Sequence, residues 1–310
     1  MAYGLAVKGQ RAFYDHAAFR DVIHRMHGGE DYYHATVDAF LPRGTRVGSV
    51  RAFRLPTVFL LWRVLPTGWL YPAFIAIVVI GTSFLLLFVT TRPWIVPVVT
   101  LYLAHAGRIL SLRGRPQLDE WLLVELWTVP VIAAFILAVK RGRWWWAAGL
   151  GAAAFLVREL AGALLVGGAL SALLYRRSLR PWLAAAAVAG GLYVGHAVLA
   201  ADAALPHGTD AKLAGSGHFP RTVLEMMSWP IPGPKVIGLA LWVLALVWLA
   251  RKHELVQYGP FMAIPAFGLI VDRSYWGLLV VPFTLFWSLE LVAEEFARLR
   301  TRRHAVTARA

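Results

Sequence analysis

The sequence predicts an all-α, polytopic integral membrane protein of about eight to ten transmembrane helices, with interfacial helices near its N-terminus. Three observations carry this: an apolar composition, its concentration into long runs, and short basic breaks between the runs. The chain has 310 residues, 59% hydrophobic and 15% charged, where soluble domains average about 45–50% apolar and about 25% charged. A formal net charge of +14 would suggest nucleic acid in a soluble protein. Here the basic residues sit at the ends of apolar runs, where they orient helices and meet anionic headgroups. Membrane lipids are therefore expected as partners, and nucleic acid is not. Cysteine is absent, which excludes disulfides, thiolate metal sites and a catalytic thiol. Richness in Ala, Arg, Leu, Val and Trp is of the kind high-GC bacterial genomes encode, so a bacterial inner (cytoplasmic) membrane is the expected location.

With a window of roughly nineteen residues, apolar runs fall at Trp69–Val89, Trp94–Leu112, Trp121–Val139, Trp144–Val157 and Leu160–Tyr175. Four more follow at Trp182–Ala200, Val236–Ala250, Gln257–Val271 and Tyr275–Val292. Arg158-Glu159 divides two runs that are short against the usual span of about twenty residues. They read as two tilted helices or one re-entrant hairpin. Asp272-Arg273 divides the last two in a similar way.

Charge sets the orientation. Lys140, Arg141 and Arg143 form one basic cluster, Arg176, Arg177 and Arg180 the next, then Arg251 with Lys252, and Arg298, Arg300, Arg302 and Arg303 in the tail. Even numbers of spans separate these clusters, so all four can share the cytoplasmic side, with the C-terminus. Arg158-Glu159, the loop Ala201–Lys235 and Asp272–Ser274 then face outward, as does everything before Trp69. That last placement conflicts with a polar segment that starts at Met1 with no signal peptide and carries Lys8, Arg11, Arg20 and Arg25. Either one span is misassigned or a first transmembrane helix lies upstream of Met1; the second resolution is favoured. The expected division is an extracytoplasmic segment 1–68, a transmembrane domain 69–297 and a basic tail 298–310.

Within the first segment, Phe13, Ala17, Phe19, Val22, Ile23 and Met26 follow helical spacing, so Ala12–Phe40 is expected as amphipathic helix broken at Gly28-Gly29. Glu30-Asp31-Tyr32-Tyr33 opens its second half with acids in the first turn, where the helix dipole favours them. Such helices lie along a membrane interface. Val58–Leu65, ended by Pro66, is too short to span and is expected to dip in and return.

Gly29-Glu30-Asp31-Tyr32-Tyr33, Phe53-Arg54-Leu55-Pro56-Thr57, Val157-Arg158-Glu159-Leu160-Ala161 and Tyr275-Trp276-Gly277-Leu278-Leu279, in this order relative to the spans, resemble the type-C glycosyltransferases. More narrowly, these stretches look like bacterial members related to the polyprenol-phosphate mannosyltransferase group, and the similarity runs from about Tyr14 to Pro282. The resemblance implies a polytopic enzyme that takes sugars from polyprenyl-phosphate donors and passes them to a glycan or lipid acceptor of the cell envelope, at the outer face. In that superfamily an external loop after the first transmembrane helix carries an essential Asp or Glu. Here the loop is present and the helix before it is not, which puts the activity of this chain in question.

The resemblance places Asp15, in Phe13-Tyr14-Asp15-His16, as the base that deprotonates or orients the acceptor hydroxyl, with His16 beside it; helix capping is the plain alternative. Glu30 and Asp31 are runners-up, against a role as helix-start acids. Arg158-Glu159 is a charged pair flanked by apolar helix, a costly placement that tends to be functional. Arg158 can grip a lipid phosphate through paired hydrogen bonds, and Glu159 can orient the sugar, assist the base or help hold a divalent cation. A mutual ion pair closing the hairpin is the alternative. Glu125 is a second acid near the outer face, a partner for Asp15 or a polar contact between helices. His196 reads first as a buried, hydrogen-bonded histidine and second as a substrate contact. Arg273 with Trp276 resembles the family's late external motif and is expected to meet phosphate or sugar.

No metal site is expected from His207, Asp210, His218 and Arg221, whose spacing fits no zinc pattern. Walker, dinucleotide and nucleophile-elbow motifs are absent from the sequence, which argues against soluble nucleotide-sugar donors. A transporter or flippase for a lipid-linked substrate would require polar residues near the bilayer midplane and inverted repeats, and no clear repeat is visible. A non-catalytic membrane scaffold is the third alternative.

Overall fold

Each predicted apolar run carries a helix in the computed structural model, which describes residues 17–43, 53–111, 120–204, 235–264 and 277–307; no strand occurs among them. Residues 17–27 (α1) and Tyr32–Phe40 (α2) form the amphipathic pair, broken at Gly28-Gly29 as expected, with Gly29 at a φ of 96° that favours glycine. Ala18, Val22, Ile23 and Met26 make the buried stripe of α1. α2 begins two residues later than the sequence suggested. Asp31 is its N-cap rather than a first-turn acid, and accepts hydrogen bonds from the backbone N–H groups of Tyr33 and His34. Thr57–Val64 (α3) is the short apolar stretch before Pro66.

Then come Thr67–Leu87 (α4), Ile95–Ser111 (α5), Val124–Lys140 (α6), Trp144–Val157 (α7), Ala163–Leu174 (α8), Arg180–Ala204 (α9), Lys235–Arg251 (α10), Leu255–Met262 (α11) and Gly277–Thr307 (α12). They run up and down. α6 is apolar all round and buried along most of its length, between α4, α7 and α12, as a central helix must be. Phe59, Trp62, Phe74, Trp121 and Trp127 meet edge to face and tie α3 to this core. On α8, Gly167 faces the main chain of α11 and Gly168 the Trp182 ring of α9, at separations no side chain would allow.

The four basic clusters contact one another at one end of this bundle. Lys140 donates to the Val89 carbonyl, Arg177 stacks on Trp144, Tyr175 donates to the His253 carbonyl, and Arg251 and Lys252 pair with Glu295 and Glu294. The common end that the orientation argument needs is present. α1–α3 and Arg158-Glu159 lie at the other end.

Helix lengths depart from the expected set of full spans. Among the described residues, α4 and α9 are long and apolar enough to cross a membrane, by length and composition. Ile95–His105, Trp144–Val157, Glu159–Leu174 and Ile237–Arg251 are shorter apolar helices. The chain turns at Arg158, so the 14 residues of α7 rise only about 21 Å. The 25 residues of α9 rise about 37 Å. α9 packs against both members of the short hairpin and continues past its tip to meet α2.

Candidate functional site

The tip of the α7–α8 hairpin is where the sequence candidates gather. Arg158 ends α7 in an extended conformation, and Glu159–Gly162 follow as a single 3-10 turn into α8. Gly162 permits this turn because Phe155 packs where a Cβ would stand, 2.8 Å from its ring. Arg158 is fully buried. Its Nη1 donates to Glu159 Oε1 at 2.6 Å, and its Nε lies 3.0 Å from Glu125 Oε1 at the first turn of α6. That second contact is an ion pair without hydrogen-bond alignment. Arg158 Nε, Arg158 Nη2 and Glu125 Oε1 are all buried without a hydrogen-bond partner.

Burial divides the two acids. Glu125 is enclosed with Arg158, whereas the side chain of Glu159 is 37% exposed. Glu159 also lies in the field of Arg54, just before α3. The hairpin tip thus joins a fully enclosed cation to one carboxylate in the interior and one that reaches the surface.

The N-terminal helices close over this tip. Tyr32 donates from its hydroxyl to the Arg54 carbonyl at 2.7 Å, and Thr57 donates to the Leu156 carbonyl. Tyr33 Oη lies 3.1 Å from His196 Nδ1 on α9, and His196 also bonds the backbone of Phe53. The buried, hydrogen-bonded histidine expected from the sequence is what the structure contains, and it lies within the electrostatic field of Glu159.

Glu125, Arg158, Glu159 and His196 are therefore brought together. Glu30 and Asp31 serve elsewhere. Glu30 pairs with Arg25 at 3.4 Å, and Asp31 bonds the His34 imidazole as well as capping α2. Partial burial pushes the Asp31 carboxyl up, but the backbone N–H and the ring of His34 outweigh it and hold the group below its ordinary value. Asp15, His16, Arg273 and Trp276 lie outside the described residues. Sequence reasoning gave no role to Tyr32, Tyr33 or Arg54, although each stands in a stretch it had singled out. It also passed over Glu290, a buried acid in an apolar run that meets Arg92 at 3.8 Å and accepts from Thr90 at the basic end. One acid inside such a run is a signal in itself. Among the described residues no group of three or more His, Cys, Asp or Glu is placed to hold a metal ion.

Three of the four stretches that carry the resemblance meet at this one place. No family model matches the chain, and no curated protein or solved structure is significantly similar to it.

Proposed function

We propose that the chain is a multi-pass membrane protein that transfers a sugar from a polyprenyl-phosphate donor to a glycan or lipid acceptor, at the face opposite its basic end. Support for the membrane comes from the outer surface. The apolar windows of α4 and α9 are only 33% and 17% buried within the protein, whereas the core helix of a soluble protein is mostly buried. Ile80, Phe84, Leu87, Leu101, Leu173, Leu192, Val194 and Val198 are exposed together with them. Apolar surface of that extent marks a contact with lipid or protein. With the basic clusters inward, the C-terminus is cytoplasmic and α1–α3 face outward.

The observation that carries the catalytic reading is the unpartnered Nη2 of fully buried Arg158 beside a carboxylate that reaches the surface. Each unmet polar group of this kind costs about 1–3 kcal/mol, a cost that a ligand oxygen reaching Nη2 would relieve. In the proposed reaction a carboxylate takes the proton of the acceptor hydroxyl, and the oxygen bonds to the anomeric carbon. The bond from that carbon to the phosphate oxygen breaks, and polyprenyl phosphate leaves with the electron pair. Arg158 holds the departing phosphate, Glu159 orients or deprotonates the acceptor, and Asp15 is the further candidate base.

Two measurements test this. The chain has no cysteine, so single variants His24→Cys and Ser178→Cys each supply one target, both at exposed positions. A membrane-impermeant maleimide should label His24→Cys in intact cells and Ser178→Cys only after permeabilisation. Labelling of both from the same side removes the proposed topology. Membranes are then assayed for transfer of radiolabelled sugar from polyprenyl-phosphate donors by wild type, Glu159→Gln and Asp15→Asn. Transfer by wild type that falls at least about 100-fold in one folded variant, the usual size of an acid–base contribution, supports the reading and identifies the base. Absence of transfer from every donor by well-folded protein returns weight to a lipid-substrate transporter or a scaffold.

A further inference from the structure

At the basic end Trp145, Trp146, Gly149 and Leu150 line a shallow groove of about 490 Å³, open to the outside along one face of α7. Trp145 and Trp146 are 64% and 67% exposed. Gly149 forms an open floor, since a Cβ there would meet nothing within 4 Å. The lining is therefore apolar, solvent-facing and bounded by two indoles on the first turn of α7.

The charge beside it is one-sided. Arg141 and Arg143 stand exposed immediately before the groove. Arg177 stacks 4.4 Å from the Trp144 ring, which brings the turn bearing Arg176 and Arg180 alongside. No Asp or Glu occurs between Glu125 and Glu159, or between Glu159 and Asp202. The acids Glu290, Glu294 and Glu295 at this end pair with Arg92, Lys252, Arg251 and Arg298, and Glu254 in the α10–α11 turn lies in the field of Lys140 and Lys252. Among the described residues, the arginines around the groove have no carboxylate partner.

We propose that this groove is a docking site for one glycerophospholipid with a net negative headgroup. An acyl chain lies over Gly149 between Trp145 and Leu150, and the headgroup phosphate reaches Arg141 and Arg143. An apolar slot beside exposed arginines without a carboxylate partner, Arg141 among them with its guanidinium over the Phe88 ring, matches a molecule that joins a hydrocarbon chain to an anion. Tryptophan at headgroup depth completes the match. This rests on the membrane placement of the basic end and not on sugar transfer, so it stands or falls separately from the catalytic proposal.

The test uses the full chain, purified in a neutral detergent and titrated with phosphatidylglycerol, phosphatidylcholine or polyprenyl phosphate, with retained lipid counted by native mass spectrometry. Two arginines at about 1 kcal/mol each give an expected preference for phosphatidylglycerol over phosphatidylcholine of about 10- to 30-fold. The preference should vanish in the Arg141→Gln/Arg143→Gln variant. Gly149→Leu should lose bound lipid of both kinds with a melting temperature that holds or rises, because its side chain enters open space and a helical glycine is replaced by a better helix former. Equal retention of the two phospholipids by wild type, or undiminished retention by Gly149→Leu, overturns the proposal. So does polyprenyl phosphate binding more tightly than phosphatidylglycerol, which would make the groove a donor site instead.

Discussion

Arg158→Ala is expected to destabilise the protein by about 3–5 kcal/mol, the usual consequence of removing one member of a buried charged pair. Arg158 is fully buried, and the Glu125 carboxylate beside it is 5% exposed. Without the guanidinium, that carboxylate keeps its desolvation penalty and loses its counter-charge. Glu159 reaches solvent and suffers less. Glu125→Gln combined with Arg158→Met should therefore recover much of the loss, since it removes both enclosed charges and keeps the volume. Arg158→Lys separates stability from binding, because an ammonium retains the charge but not the planar fork that fits a phosphate. Thermal unfolding in detergent, followed by circular dichroism, reads the first two effects. Wild-type melting of Arg158→Ala would mean that water already reaches the cluster.

The second large effect is expected at Gly167. A Cβ there would stand 2.0 Å from the Gln257 main-chain oxygen and 2.8 Å from its carbonyl carbon. The obstacle is backbone, so α8 and α11 must move apart. Overpacking of this kind costs about 1–3 kcal/mol, occasionally more, and Gly167→Ala should lie at or above the upper end. Gly168→Ala meets the Trp182 ring at 2.2 Å and should be nearly as damaging. Gly190→Ala is the control. Its Cβ would meet nothing within 4 Å, and exchange of a helical glycine for alanine gains up to about 1 kcal/mol. Melting temperatures of the three variants, measured side by side, should fall, fall and hold or rise. If all three melt together, α8 meets neither α11 through Gly167 nor α9 through Gly168.

How far sequence reasoning reached depended on whether the signal was local. Positions along the up-and-down order were legible because apolar runs end at charges. This is why Lys140, Arg176 and Arg251 could be assigned to one end before their contacts were known. The break at Gly28-Gly29 and the α1 stripe were legible for the same reason. Lateral neighbours were not. Glu125 and Arg158 are separated by two helices, and Tyr33 meets His196 from 163 residues away. Hydropathy places each group at a height in the bundle, and no periodicity says which helices stand side by side. The start of α2 was misplaced by two residues because an acid favours the N-cap and the first turn alike; only the backbone angles at Asp31 distinguish them. Glu30 and Asp31 also drew attention away from Tyr32 and Tyr33, which are the members of that stretch that reach the hairpin tip.

The short α7–α8 hairpin has a consequence for the bilayer itself. On the proposed placement, α9 and α4 match or exceed a hydrocarbon core of about 30 Å, and α7 falls about 9 Å short of it. The protein's perimeter is then a step rather than a cylinder. Lipids beside the hairpin must compress, or the headgroup layer must sag toward Arg158, at a cost of fractions of a kcal/mol per Å of hydrophobic mismatch. A dimple of that kind lowers the water boundary to the depth of Glu159 on one flank only. Bilayer thickness thereby becomes a control variable. In vesicles of progressively longer acyl chains, the hairpin tip would be drawn below the surface while the longer helices simply tilt less.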